Sequence, residues 1–166
     1  MSDPAWLANA RKYLGQREVR GPQHNPHVLK WWKNMGAPFK DDETPWCGAF
    51  VGGVLVETGI RPVAGGASAQ AWLKLPVKLD KPAVGAVVVF WRGSPSSGLG
   101  HVGFVVGKDQ AGHIMVLGGN QGDTVSIKPF STDRVKGYRW PGVYPYSERF
   151  NLPVISSDGR VSTNEA

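Results

Sequence analysis

The 166-residue chain suffices for one domain with a single substantial core and leaves no room for a second. Its net charge of +6 and pI near 9.6 favour an anionic partner, but no tight block of Lys and Arg and no aromatic-basic RNA-binding motif is present, so nucleic acid is not expected. One cysteine excludes an internal disulfide, and no apolar run is long enough to span a bilayer; the start Met1 to Trp6 lacks the basic and apolar segments of a signal peptide, so a soluble monomer made in the cytoplasm, with no stable membrane insertion, is expected.

In chain order, Ser2 or Asp3 is placed to cap a first helix starting at Pro4, with Trp6, Ala10, Tyr13 and Leu14 as its apolar stripe. Residues 16–24 read as a loop turning at Gly21-Pro22. Asn25-Pro26 then offers the cap and first turn of a second helix, which carries Val28, Leu29, Trp31, Trp32 and Met35 and ends at Gly36. His24 and His27 invite a metal reading. Two histidines three apart, with acidic residues only at Asp41, Asp42 and Glu43, form no recognised ligand spacing, and neither a metal nor another cofactor is expected. The acidic run reads as a solvated approach to the next helix.

That third helix carries the only cysteine. Thr44 is a good N-cap and Pro45 a good first residue, which makes Cys47 the third helical residue. Unpaired N–H groups and the positive end of the helix dipole stabilise an anion there, so the thiol is expected to ionise below its ordinary value of about 8.5. Phe50, Val51, Val54, Leu55 and Thr58 form one buried face, closed by Gly59. Gly52 and Gly53 each cost roughly 1 kcal/mol of helix propensity, which implies a neighbour too close for a side chain; the expected neighbour is a sheet. A lone cysteine is most often a small buried hydrophobe. A histidine and an asparagine further along the chain shift the balance toward a nucleophile.

Ser68 caps a short helix from Ala69 to about Leu75, after which the period becomes extended. Ala86 to Trp91 reads as a central strand buried on both faces; residues 92–100 have the composition of a mobile loop; further strands follow at His101–Gly107, Gly112–Gly119, Thr124–Pro129 and Lys136–Trp140. Helices first and a strand meander after them give an α+β domain with an antiparallel sheet over residues 1–146, followed by a polar surface tail over 147–166.

The hairpin from His101 to Asn120 permits a register. If Asp109 to Gly112 is a four-residue loop on a type I turn, Lys108 faces His113 and His101 faces Asn120. Paired residues share a sheet face with Cβ atoms about 5 Å apart, so the Asn120 amide is placed to hold the His101 ring. Gly100, Gly103, Gly118 and Gly119 clear space around the two. Trp46, beside the cysteine, together with Gly100, Gly119 and Gln121, is expected to line the substrate cleft.

Three stretches in this order, Asp42-Glu43-Thr44-Pro45-Trp46-Cys47-Gly48-Ala49-Phe50-Val51, Gly100 to Gly107, and Val116 to Val125, resemble the CHAP (cysteine, histidine-dependent amidohydrolase/peptidase) branch of the papain-like superfamily. The nearest group in pattern is the short cell-wall-degrading one often encoded by phages and prophages, and the similarity covers roughly residues 5–142. It implies a papain-like fold and cleavage of an amide bond in bacterial peptidoglycan, with Cys47 as nucleophile, His101 as base and Asn120 as orienting residue. The chain departs from the pattern at Gly118, where several members carry an acidic residue, and has no aspartate-rich calcium loop. The resemblance fits a phage lysin that leaves the host cytoplasm through a holin and acts on the wall in the periplasm; a delivered antibacterial toxin is the alternative. Two other readings are a zinc amidase using His24, His27 or His113, and a wall-binding module contacting peptidoglycan through its seven tryptophans.

Overall fold

The computed structural model describes residues 2–156. Helices α1 (Ala5–Arg11), α2 (Pro26–Asn34) and α3 (Cys47–Glu57) precede a short 3-10 helix, Ala69–Lys74. The strands are β1 (Val77–Leu79), β2 (Val87–Trp91), β3 (Gly100–Lys108), β4 (Ile114–Gly118), β5 (Ser126–Phe130) and β6 (Val135–Trp140). They form one antiparallel sheet in the order β1-β6-β2-β3-β4-β5. This is the α+β architecture expected, with one addition. β1 is three residues long, too short to show a period, and its partner is the last strand, which inserts between β1 and β2.

Both faces of the sheet are buried, by different means. Val87, Val89, Val102, Phe104, Met115 and Leu117 pack against the three helices, while Val88, Phe90, Val105, Ile114, Val116 and Phe130 point the other way. The second face is covered in part by Trp6, Phe150 and Leu152. Residues 147–155 are therefore not a loose tail: Val84 N–H donates to Arg149 O at 2.8 Å and Ile155 N–H to Lys108 O at 2.7 Å. Leu152 and Ile155 pack against the two core clusters and hold this stretch down; residues 157–166 of the expected tail lie outside the described residues. Trp31, Trp32, Trp46 and Trp72 are fully buried and Trp140 is 4% exposed, so these five are core rather than wall contacts.

Helix α2 starts as its sequence dictates, with the Asn25 side chain accepting from His27 N–H at 2.8 Å. α1 begins after Pro4 with no side-chain cap, because Asp3 is drawn instead to Arg11 at 2.7 Å. In α3 the glycines do mark close approaches, but to α2 and not to the sheet. A Cβ on Gly53 would stand 2.2 Å from Trp31 Cδ1, and one on Gly52 3.0 Å from Met35 Cε. A Cβ on Gly48 would likewise meet the loop before the 3-10 helix, 2.1 Å from Gly66 O.

The β3–β4 turn is the one expected, with Gly112 N–H donating to Asp109 O at 3.2 Å. Lys108, however, faces Ile114 rather than His113, and a bulge between Val105 and Gly107 then brings Phe104 opposite Leu117, where the expected register puts it. The ladder stops there. Beyond Gly118 the chain leaves extended backbone, with Asn120 at φ +59, Gly122 at φ +71 and Asp123 at φ +58.

Candidate active site

Asp41, not Thr44, organises the approach to α3. Its Oδ1 accepts from Thr44 N–H at 2.7 Å and Glu43 N–H at 3.1 Å, which folds residues 41–44 into a turn and delays the helix until Cys47. Phe50 N–H to Trp46 O is the first helical bond, so Cys47 is the first helical residue. Asp42 is fully buried and far from a solvated charge: it accepts from Val19 N–H, Asn25 N–H and His24 Nδ1 at 2.6, 2.8 and 3.0 Å. His24 is thereby a strut between the 16–25 loop and the cysteine turn. His113 is engaged likewise by Asp109 at 2.8 Å. Among the described residues no group of three or more His, Cys, Asp or Glu side chains is placed to hold a metal ion.

Cys47 is 3% exposed and sits in the wall of a cleft of about 250 Å3 lined also by Phe39, Ser68, Ala69, Arg92, Leu99 and Gly100. The 92–100 loop that forms one side is pinned, contrary to its composition. Arg92 N–H donates to Leu99 O at 3.0 Å, Gln70 Nε2 to the same oxygen at 2.7 Å, and Lys136 Nζ to Pro95 O at 3.0 Å.

His101 is fully buried near the start of β3, its ring stacked on Phe130 at 5.3 Å between centroids and 11° between planes. Its Nε2 meets Gln121 Oε1 at 2.9 Å. The Gln121 amide cannot be turned over, because its nitrogen donates to Val116 O at 3.1 Å and Ser126 O at 2.8 Å. The oxygen therefore faces the histidine, Nε2 carries the proton it donates, and Nδ1 is the nitrogen left for the thiol. The space for this contact is Gly118: a Cβ there would stand 2.2 Å from Gln121 Oε1 and 3.3 Å from His101 Nε2.

Burial is the largest influence on the Cys47 thiol and pushes it up. The hydrogen bond and charge of His101, helped by the backbone N–H groups of Val102 and Gly48, outweigh it and bring the thiol below its ordinary value. Val102 is free to contribute because the β3–β4 ladder has ended at Phe104. A thiolate facing an imidazole ring, in a cleft wall, can attack a carbonyl carbon and return a proton to a leaving group.

Three expectations about this site are corrected. Asn120 does not hold His101; its backbone is left-handed, so strand alternation no longer sets its direction, and its Oδ1 has no hydrogen-bond partner among the described residues. Gln121, expected in the cleft, is instead fully buried with both ends of its amide committed. Trp46 and Gly119 do not line the cleft either. The Trp46 indole turns inward against Trp31, and Gly119 receives it, a Cβ there being 2.9 Å from Trp46 Cζ3 and 2.6 Å from Phe50 Cβ. Gly100 does line the cleft, beside Arg92, Phe39 and Leu99, which sequence reasoning missed. Arg92 carried a usable signal, a cation at the end of a buried strand just before the loop leading to His101.

Residues 39–120 match the family model of the CHAP domain. No curated protein matches the chain.

Proposed function

We propose, because residues 39–120 match the CHAP domain, the mark of a family of hydrolases acting on peptidoglycan, that this protein is a cysteine amidohydrolase that cuts an amide bond of the bacterial cell wall. The observation that carries this reading is the meeting of Cys47, in the wall of the cleft, with the fully buried His101 from a distant stretch of chain. The Cys47 thiolate adds to the amide carbonyl, and the backbone N–H groups at the start of α3 hold the oxyanion. His101 gives its proton to the departing amine as the C–N bond breaks, leaving an acyl-enzyme. A water then adds to the acyl carbon, giving its proton to His101 Nδ1, and the thiolate leaves. A small basic chain of this kind suits a phage lysin, made in the cytoplasm and released to the wall.

The test is incubation with purified peptidoglycan, counting new amino groups and weighing the fragments to locate the cut bond, with alkylated and chelator-treated protein alongside. Wall that gains no amino groups ends the enzyme reading, and loss of turnover to the chelator alone ends the thiol mechanism.

The thiol shift gives a pH dependence. Alkylation of Cys47 needs the thiolate, whose population grows as pH rises through the thiol's pKa. With that pKa lowered, the rate should reach half its plateau below pH about 8.5, the ordinary midpoint. A midpoint at or above that value would show that desolvation outweighs His101.

The cleft also bears on substrate. Among the described residues lining it, Arg92 is the one basic side chain and no acidic one is present. This suits a stem-peptide carboxylate beside the cut amide. Arg92→Gln should raise KM about 10-fold to 100-fold with kcat nearly unchanged, the range of one charge-assisted hydrogen bond. The same variant should match the unsubstituted protein on wall whose stem carboxylates are amidated; an equal loss on both substrates would mean that Arg92 meets no carboxylate.

A further inference from the structure

We infer that Gln121 is the positioning residue of this site, a neutral amide that fixes the tautomer of His101 and aims Nδ1 at the Cys47 sulfur. The inference deepens the thiol-hydrolase reading and rests on it for its catalytic consequence, although its primary readout needs no turnover.

Four observations converge. The Oε1 to Nε2 distance of 2.9 Å lies inside the buried part of the molecule, both residues being fully buried. The two backbone carbonyls on the amide nitrogen fix which end faces the ring. The backbone of Gln121 is itself tied down, its N–H donating to Thr124 O at 3.0 Å and its carbonyl accepting from Ser126 Oγ at 3.1 Å. Finally, the cavity the oxygen occupies exists only because position 118 lacks a side chain. An amide at this place differs from a carboxylate in one respect that matters. It accepts the Nε2 proton and orients the ring but cannot take that proton away, so the charge formed during turnover stays on the imidazolium, next to the thiolate.

The construction supplies a clean perturbation. In Gly118→Ala the new methyl would stand 2.2 Å from Gln121 Oε1 and 3.3 Å from His101 Nε2, with no backbone among these nearest atoms, so the amide oxygen is the group displaced first. Gln121→Leu removes the acceptor outright. The direct measurement is the nitrogen-15 spectrum of the imidazole rings in the unsubstituted protein at a pH where His101 is neutral. Nε2–H is expected for His101, with mixed tautomers in Gly118→Ala. Both variants should raise the alkylation midpoint of Cys47 and lower kcat on the order of 100-fold with KM little changed, the scale of a misaimed catalytic group. An unsubstituted protein whose His101 carries its proton on Nδ1 would overturn the inference. So would a folded Gly118→Ala protein with unchanged tautomer and thiol midpoint. If the tautomer behaves as stated and peptidoglycan is nonetheless left uncut, the positioning holds and the substrate reading falls.

Discussion

Cys47→Ser should lower turnover on peptidoglycan by about 10,000-fold or more while the melting temperature moves little. The substitution exchanges one atom in a site that is 3% exposed, so packing hardly changes. What changes is the acid. His101 and the N–H groups of Val102 and Gly48 together hold the thiol below its ordinary value against the penalty of burial, whereas a hydroxyl starts far above the range in which the same groups could ionise it. The stabilising pair of thiolate and imidazolium then cannot form. Hydrolysis assayed by fragment mass and a thermal melt on the same sample check the two halves of this expectation. Retained activity would remove Cys47 from the mechanism, and lost activity with a collapsed melt would show that the thiol is a packing group.

The largest effect on stability is expected from Gly53→Ala. The added methyl would stand 2.2 Å from Trp31 Cδ1 and 2.5 Å from its Cβ. Trp31 is fully buried, with Tyr13 edge-on at 5.1 Å and Phe50 at 5.3 Å, so the indole has nowhere to go unless α2 moves as a body. Overpacking of this kind costs about 3 kcal/mol, well beyond the roughly 1 kcal/mol of helix propensity that alanine returns. At about 2–4 °C per kcal/mol for a chain of this size, the net loss predicts a melting point about 4–8 °C lower. Gly52→Ala is the matched control. Its methyl would meet only the Met35 side chain, 3.0 Å from Cε, which can swing aside, so that variant should melt within about 3 °C of the unsubstituted protein. Equal behaviour of the two variants would mean that the α2–α3 packing is looser than the distances imply.

These two residues also show how far sequence reading reaches. Helix-disfavouring glycines in an otherwise apolar helix announce a close neighbour, but the partner is chosen by the path of the intervening chain, and here α2 arrives before any strand does. The same division runs through the site. Features carried by adjacent residues were legible: the Asn25 cap with Pro26 behind it, the Asp109 to Gly112 turn, β-branched strands, and a cysteine at a helix start. Where two nearby groups competed for one role, the sequence could not rank them. Asp41 takes the N–H of Thr44, and the helix begins at Cys47 instead of Pro45.

The orienting residue of His101 lay further out of reach, for a geometric reason. Pairing arithmetic holds only while both strands stay extended, and it does hold as far as Phe104 and Leu117, even across a bulge. Past Gly118 the left-handed residues Asn120, Gly122 and Asp123 turn the chain back on itself and carry the side chain of Gln121 under the strand it has just left. From its sequence alone this protein is determined to be an α+β domain with a cysteine at a helix start and a histidine at a strand start. That the two meet, and that the histidine is held by Gln121 rather than Asn120, was decided by tertiary packing, because a contact across a non-extended turn depends on where the backbone goes and not on how far apart the residues are in the chain.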